Sequence, residues 1–489
     1  MKEVTNTHGN PTVCIWACAT TLVAHCAQLF GVFSGDGGRM VATIGTILAI
    51  AASCFSSTAM LGLLFGMAFI PLAGGWAPEL RIFFIVFGIY AIRIAFLRPS
   101  FLQILAQKNN LAARDMRWWG GSVACFFVLG AIFFALTSNS DFGAQCAWDT
   151  LRGLLTLLLV APVAIHSVRH QHNAKPLLLM IVIYVLAGSV WMYKAADLGS
   201  LETAAMGGRN QAWEVRTSSD NGDPNAVGLL YTVGAGFVFG ILLFSRQWYL
   251  RGLAAAALVG ACLQVAASGS RGGSIGLVAA ILLSVFVGYR TVSQLVSRVA
   301  IGVIMLTTIT LLLLPLLEIS ILPRWEKTWT DISGGDYASG TAGRTIIIKA
   351  YLSKLAASSF LGGGFNYDQI AQIRGWPCVA HNTWLQVLCD FGLIGFVCFL
   401  GIIFPAYRLA VLIVCKERQR PNFQVRPLEA GAAMALVGLF TATFALTSTF
   451  ELIFWWPIGL AVGLWYNYKK GNHENCLIFK KFANNDRWS

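Results

Sequence analysis

The sequence predicts an all-α, polytopic integral membrane helix bundle of about 12 spans, or up to 14, with a large helical loop on one face. Three observations support this fold class. The 489 residues are 56% hydrophobic and 12% charged, whereas soluble domains carry about 25% charged residues. Apolar runs close to the ~20 residues that a helix needs to cross the hydrocarbon core recur along the chain. Lysine and arginine gather in alternate loops between these runs.

The apolar runs predict membrane spans near 12–33, 40–55, 57–73, 80–97, 120–137, 150–167, 176–193, 226–244, 252–268, 273–290, 299–322, 385–410, 430–449 and 452–467. Several runs are short, and 40–73 is expected to hold one full and one partial span. Basic residues cluster in the loops at 98–117, 169–175, 246–251, 290–298 and 416–426, which fall on one side of this arrangement. The positive-inside rule assigns that side, with both termini, to the cytoplasm.

The opposite side carries two long segments, which divide the chain into six parts. These are N-terminal transmembrane helices (1–193), a first outer loop (194–225), central transmembrane helices (226–322), a large outer loop (323–384), C-terminal transmembrane helices (385–468) and a cytoplasmic tail (469–489). Within the large loop, apolar side chains at helical spacing predict a helix that caps the bundle; they are Ile347, Ile348, Tyr351, Leu352 and Leu355.

Composition and motifs exclude several classes of function. The net charge of +13 is explained by basic residues flanking spans, and no nucleic-acid-binding motif occurs. The phosphate-binding loop of ATPases and the His-Glu-x-x-His motif are both absent, so neither a cofactor nor a metal is predicted. The twelve cysteines are scattered without a Cys-x-x-Cys motif. Cys146 and Cys378 both fall on the outer side, where they could form a pair.

Arg271 stands in a tight turn, Ser268-Gly269-Ser270-Arg271-Gly272-Gly273, between two apolar runs. Charged residues at membrane spans are costly and mark functional sites. A guanidinium suits phosphate because it donates two parallel hydrogen bonds, and the neighbouring glycines would let a phosphate approach the backbone. The alternative is an arginine whose head group reaches the lipid phosphates.

His381 is the one histidine that this topology places in an outer loop. Asn382 follows it and predicts the N-cap of the next helix. A neutral imidazole at that point could remove a proton from a hydroxyl, and a structural capping or packing role is the alternative. His25 lies within an apolar span and is predicted to be packed. The large loop also carries basic residues that could be ordinary solvated charges. Among them are Arg344, Lys349 and Lys354.

Six short motifs, in this order, resemble the O-antigen ligase/polymerase superfamily of membrane glycosyltransferases, which is GT-C-like. They are Asp223-Pro224-Asn225, Ser270-Arg271-Gly272, Gly343-Arg344, Phe360-Leu361-Gly362-Gly363-Gly364, His381-Asn382-x-x-Leu385-Gln386 and Phe391-Gly392-Leu393-Ile394-Gly395. The resemblance covers roughly residues 215–400. It implies transfer of a glycan from undecaprenyl diphosphate to a lipid A–core hydroxyl, at the periplasmic face of the bacterial inner membrane. The implied reaction inverts the anomeric centre and needs no metal.

The resemblance also implies roles for individual residues. His381 would be the base, and Arg271 and Arg344 would hold the diphosphate, with Arg216 a further diphosphate ligand. Asn382, Ser270, Gln386 and Asp223 would support them. The implied partners are the undecaprenyl diphosphate-linked glycan, lipid A–core and membrane lipids, without nucleic acid.

Three other functions remain open at the level of sequence. An O-antigen polymerase and a protein O-oligosaccharyltransferase would use the same donor with another acceptor. The short segment after the last predicted span disfavours the protein transferase, and the His-Asn motif disfavours the polymerase. A polysaccharide transporter or flippase would show polar or broken spans near the bilayer midplane.

Overall fold

The computed structural model describes residues 11–33, 36–69, 111–137, 140–168, 174–195, 224–287, 344–374, 378–415, 426–446 and 453–468, with isolated positions between 88 and 335. Every regular element among these residues is a helix, which agrees with the all-α prediction. The predicted spans at 80–97 and 299–322 lie outside the described residues apart from single positions. Arg216, Asp223 and the predicted tail also lie outside them.

Fourteen helices have bounds in the described residues. They are α1 (Pro11–Phe33), α2 (Asp36–Ser53), α3 (Ser57–Phe69), α4 (Leu111–Thr137), α5 (Asp141–Ser167), α6 (Ala174–Ala195), α7 (Pro224–Phe244), α8 (Trp248–Ser268), α9 (Arg271–Phe286), α10 (Arg344–Ala357), α11 (Asp368–Arg374), α12 (Thr383–Cys415), α13 (Pro427–Ala442) and α14 (453–468).

Five of these helices, α4, α5, α7, α8 and α12, are long and apolar enough to cross a membrane. Helices α1, α3, α6, α9 and α13 contain shorter apolar stretches. The chain is therefore an integral membrane protein by the length and composition of its helices. The predicted number of about 12 spans is not confirmed, because only five described helices meet both conditions.

Helix α7 packs closely on α13 through small residues. A Cβ on Gly236 would collide with the backbone of Ala435, and a Cβ on Gly240 with the backbone of Gly431. Spacing small residues four apart lets two helix backbones approach closely, which gives van der Waals contact where lipid removes the usual hydrophobic driving force. The two helices run in opposite directions, since the end of α7 meets the beginning of α13.

The contacts define two ends of the bundle. Helices α7 and α9 begin at the same end, where Thr232 Oγ1 donates a hydrogen bond to the Gly273 carbonyl at 2.8 Å. Helix α12 begins there beside the end of α13, since the Thr383 amide donates to the Thr443 carbonyl at 2.9 Å. We call this end, where α7, α9 and α12 begin and α8 and α13 finish, the His381 end.

The opposite end holds several of the basic residues that flank the described helices. Helix α8 begins there with Arg246 and Arg251 close by, and Arg426 precedes α13. Helix α4 runs antiparallel to α12, with Ser122 beside Gly401 and Gly130 near Phe391. Arg114 and Arg117, at the beginning of α4, therefore also belong to the opposite end.

His25 is fully buried, and its Nδ1 lies 3.2 Å from the Tyr184 hydroxyl. The prediction of a packed histidine in an apolar span is confirmed. Cys146 and Cys378 are not joined by a disulfide, so the cysteine pair considered from the sequence is not formed.

Candidate active site

Arg271 begins α9 directly after a turn built by two caps. Gly269 ends α8 with φ 57°, a left-handed conformation that suits glycine. Ser270 is the N-cap of α9, and its Oγ accepts a hydrogen bond from the Gly273 amide at 3.2 Å. Ser270 is buried while Arg271 is half-buried. The turn therefore fixes the helix beginning and leaves the guanidinium at the edge of the bundle.

The glycines beside Arg271 serve packing, which corrects the expectation that they open the backbone to a phosphate. A Cβ on Gly273 would lie 2.9 Å from the Gly228 backbone of α7, and one on Gly272 would lie 2.7 Å from the Leu446 side chain. Absence of these Cβ atoms lets the turn lie between α7 and the end of α13. The sequence showed the glycines but not the helices against which they pack.

His381 lies in the turn that precedes α12. It has φ 51°, which is uncommon for a residue with a side chain. The predicted N-cap is confirmed, because Asn382 Oδ1 accepts a hydrogen bond from the Leu385 amide at 2.9 Å. Asn382 Nδ2 also donates to the Phe444 carbonyl at 3.0 Å, and Thr383 Oγ1 donates to the Leu446 carbonyl at 2.8 Å.

One short segment contacts both turns. Residues 443–446, which follow α13, accept the hydrogen bonds from Asn382 and Thr383. The Leu446 side chain of the same segment packs over Gly272. The structure therefore brings the Arg271 turn and the His381 turn together at one end of the bundle. The side chains of Arg271 and His381 are both half-buried.

A buried ion pair lies beside the His381 turn. Lys354 Nζ is 2.7 Å from Asp390 Oδ1, and the two side chains are only 4% and 3% exposed. Lys354 Nζ also donates to the Gly364 carbonyl at 2.7 Å, and the Tyr367 hydroxyl donates to Asp390 Oδ2 at 3.1 Å. Lys354 is thus not a solvated loop charge, which was one alternative offered by the sequence.

Asp390 is not among the residues that the sequence motifs mark. It is the acidic residue inside the apolar run that forms α12, and such residues are expensive in a membrane helix. That signal was available from the sequence, but its partner Lys354 stands 36 residues away in the chain. Burial together with the Asp390 carboxylate raises the pKa of the Tyr367 hydroxyl well above its ordinary value. Tyr367 therefore remains a hydrogen-bond donor.

Gln386 connects the ion pair with the His381 turn. Its Nε2 donates to Asp390 Oδ2 and, at 3.0 Å, to the Tyr367 hydroxyl oxygen. Its Oε1 accepts a hydrogen bond from the amide of Ala380, the residue before His381, at 2.7 Å. Gln386 is buried. The sequence placed it among the supporting residues without indicating these contacts.

Two motifs that are distant in sequence meet at a break in α12. Gly392 has φ 66° inside the helix, and the break exposes carbonyl groups of the preceding turn. The Gly363 amide donates to the Cys389 carbonyl at 2.8 Å, and the Gly364 amide donates to the Asp390 carbonyl at 3.0 Å. In return, the Leu393 amide donates to the Phe360 carbonyl at 3.0 Å. The loop 360–364 thus satisfies backbone groups of α12 at the point where that apolar helix is interrupted.

Arg344 begins α10 and is half-buried. Helix α10 is confirmed, but of the apolar residues that predicted it only Ile347, Tyr351 and Leu355 are buried, whereas Ile348 and Leu352 are exposed. The Tyr351 hydroxyl donates to the Cys378 carbonyl at 3.0 Å, which attaches α10 to the chain three residues before His381. Arg344 lies about two helical turns before that contact.

These observations define the protein as a membrane-embedded helix bundle with a cationic and imidazole-bearing site at one end. Residues 256–400 match the family model for O-Antigen ligase. This part of the chain is therefore similar to the O-antigen ligase superfamily, whose members are glycosyltransferase-like enzymes, and the match supports membership of that superfamily. The matched residues include Arg271, Arg344 and His381 as well as the buried ion pair. No curated protein matches the chain.

Proposed function

We propose that the protein is an O-antigen ligase of lipopolysaccharide biosynthesis. It transfers O-antigen glycan from undecaprenyl diphosphate to a lipid A–core sugar hydroxyl at the periplasmic face of the inner membrane. The observation that carries this proposal is the docking of the Arg271 turn and the His381 turn on the same segment, residues 443–446. That arrangement supplies a base and a cation at one membrane surface.

His381 takes the proton of the acceptor hydroxyl as its oxygen attacks the anomeric carbon of the donor. The bond between that carbon and the diphosphate breaks on the opposite side, which inverts the anomeric centre and releases undecaprenyl diphosphate. Arg271, with Arg344 and Arg216, neutralises the charge that develops on the leaving diphosphate. This scheme assigns to arginines the role that a metal ion has in other transferases. Ser270, Asn382, Gln386 and Asp223 support these residues.

The distribution of charge supports a periplasmic site. Arg114, Arg117, Arg246, Arg251 and Arg426 belong to the end of the bundle opposite His381. Cytoplasmic loops carry an excess of lysine and arginine. The basic end is accordingly assigned to the cytoplasm and the His381 end to the periplasm.

The first prediction concerns the base and the cation. Purified protein in nanodiscs is given lipid-linked glycan and lipid A–core, and product is quantified over time. His381→Ala should lower kcat by about a hundredfold to ten-thousandfold, since a general base is lost. Arg271→Ala should lower it by about a hundredfold to a thousandfold, since a donor to the developing charge is lost.

The matched controls are His166→Ala, in the last turn of α5, and Arg114→Ala, at the opposite end of the bundle. Both should retain wild-type transfer. Undiminished transfer by His381→Ala would overturn the proposed function. The protein is also reconstituted in liposomes. Movement of the lipid-linked substrate across the liposome membrane without glycan transfer would instead indicate a transporter.

The acceptor is tested in the same assay by replacing lipid A–core. A ligase forms product only with lipid A–core, a polymerase extends the lipid-linked glycan alone, and a protein transferase modifies an added serine- or threonine-rich protein. The three activities share the donor, so His381 and Arg271 are required in each.

A further inference from the structure

We propose that the buried Lys354–Asp390 ion pair positions His381 through the side chain of Gln386. The inference rests on the proposed function, in which His381 is the base. Lys354, Asp390 and Gln386 are positioning residues in this view, because none of them reaches the reacting atoms.

A carboxylate accepts hydrogen bonds and cannot donate them. The Gln386 amide must therefore present its NH2 group to Asp390, and its second N–H reaches the Tyr367 oxygen at 3.0 Å. Its carbonyl oxygen then faces the other way, where it accepts from the Ala380 amide at 2.7 Å. The charge on Asp390 thus determines which atom of Gln386 meets the backbone next to His381.

Lys354 keeps Asp390 in the charged form. Its ammonium group lies 2.7 Å from the carboxylate and 4.6 Å from the centre of the Tyr367 ring. An opposite charge at this distance favours the ionised carboxyl group, and the aromatic face adds attraction for the cation. Without the lysine, a neutral carboxylic acid could donate a hydrogen bond and the amide of Gln386 could turn over.

The His381 turn needs contacts on both sides because its backbone is strained at φ 51°. Such conformations persist only where the surroundings determine them. Asn382 and Thr383 hold the turn on the α13 side. The Gln386–Ala380 hydrogen bond holds it on the α10 side. Loss of the hydrogen bond between Gln386 and Ala380 would leave the His381 imidazole less well aligned while the fold stays intact.

A purely stabilising role is a poor explanation for this ion pair. Buried ion pairs are costly to desolvate, and apolar replacements of similar volume are often as stable or more stable. A charge pair 4% and 3% exposed inside an apolar bundle therefore calls for another role. Setting the direction of Gln386 is a role that an apolar pair cannot fulfil.

The test, which is the second prediction, uses two variants of the full-length protein in nanodiscs. Gln386→Met removes the contact to Ala380 and leaves Asp390 paired with Lys354 and Tyr367. Lys354→Met with Asp390→Leu replaces the ion pair by an apolar pair. Both variants should remain folded and keep the wild-type donor KM but lose at least tenfold in kcat, since a misplacement of about 1 Å costs roughly a hundredfold. The matched control is Asp149→Asn with Arg152→Gln, which removes the more exposed ion pair of α5 and should leave kcat unchanged.

A double-mutant cycle separates positioning from general stabilisation. Gln386→Met added to His381→Ala should lower kcat no further, because there is no base left to position. A further drop of the same size as in the single variant would overturn the inference, as would wild-type kcat in Gln386→Met. If His381→Ala itself retains full transfer, the proposed function fails. If only the Gln386 result fails, the proposed function stands without this positioning role.

Discussion

His381 adopts a backbone conformation that costs on the order of 1–3 kcal/mol for a residue with a side chain. The hydrogen bonds that hold this turn come from its neighbours, namely from Ala380 on one side and from Asn382 and Thr383 on the other. The backbone that carries the imidazole is therefore held from both sides. Residues beside His381 can then affect its position through the backbone.

Asn382 gives the third prediction. Asn382→Ala removes the cap of α12 and the hydrogen bond to Phe444, and should destabilise the protein by about 1 kcal/mol, as expected for a lost N-cap. Asn382→Asp keeps an acceptor for the Leu385 amide but loses the donor to the Phe444 carbonyl. Thermal unfolding in detergent and the transfer rate are measured for both variants.

Asn382→Asp should unfold at a Tm closer to that of the wild type than Asn382→Ala does. Both variants should transfer glycan more slowly than the wild type, because both lose the hydrogen bond to Phe444. Equal transfer by wild type and Asn382→Asp would show that the contact with residues 443–446 does not matter for the His381 turn. The comparison separates the two functions of a single side chain.

At the scale of elements, the interruption of α12 joins the large loop to the membrane helices. Gly392 has φ 66°, and a Cβ there would collide with the Leu361 carbonyl. The amides of Gly363 and Gly364 complete the hydrogen bonding of the turn before the break. Helix and loop are therefore stable only together, which explains how α10 is held at the His381 end.

The fourth prediction follows from Gly392. Gly392→Ala should lower stability by about 1–2 kcal/mol for the left-handed backbone alone, and more because the loop 360–364 must move. The measurement is the Tm in detergent, with accessibility of an introduced Leu361→Cys thiol to a maleimide reporting displacement of the loop. Gly252→Ala is the control, since a Cβ on Gly252 meets nothing within 4 Å. An unchanged Tm in Gly392→Ala would contradict the assigned strain.

The sequence predicted the helices well because hydropathy is a local property. The helix at Arg344–Ala357 was predicted from residue spacing, and the Asn382 N-cap from the residue type that precedes α12. The buried face of α10 was only partly predicted, since Ile348 and Leu352 are as apolar as the residues that are buried. Which side of an apolar helix meets protein rather than lipid depends on its neighbours.

The candidate site was predicted only in part, because it also depends on contacts between elements that are distant in sequence. The sequence marked the motifs but not the pairing of Lys354 with Asp390, because the partners come from different elements and meet only after the loop docks on α12. It also assigned the glycines beside Arg271 to ligand access, whereas they contact Gly228 and Leu446. Both features depend on tertiary contacts, which a local sequence pattern does not contain.

On the scale of the whole molecule, close packing of α7 on α13 fixes the position of the segment that follows α13. Gly236 and Gly240 face Ala435 and Gly431 at backbone distance. The same α13 delivers residues 443–446 to the two turns at its far end. A change at the opposite end of the bundle can thus reach the candidate site by shifting one helix.

The fifth prediction tests this connection. Gly240→Leu forces α7 and α13 apart, and overpacking of this kind typically costs about 1–3 kcal/mol. The variant should show a lower Tm and reduced transfer, although Gly240 stands at the end of α7 remote from His381. Gly120→Leu on α4 is the control, because a Cβ on Gly120 meets nothing within 4 Å. A lowered Tm with wild-type kcat would indicate that the position of α13 does not control the site.

The contacts of residues 443–446 also have a consequence for biosynthesis in the cell. The Arg271 turn and the His381 turn are translated well before the segment on which both of them dock. A nascent chain that has inserted every helix up to α12 still lacks the acceptors for Asn382 and Thr383 and the side chain that covers Gly272. The two halves of the candidate site are therefore joined only after α13 has entered the membrane.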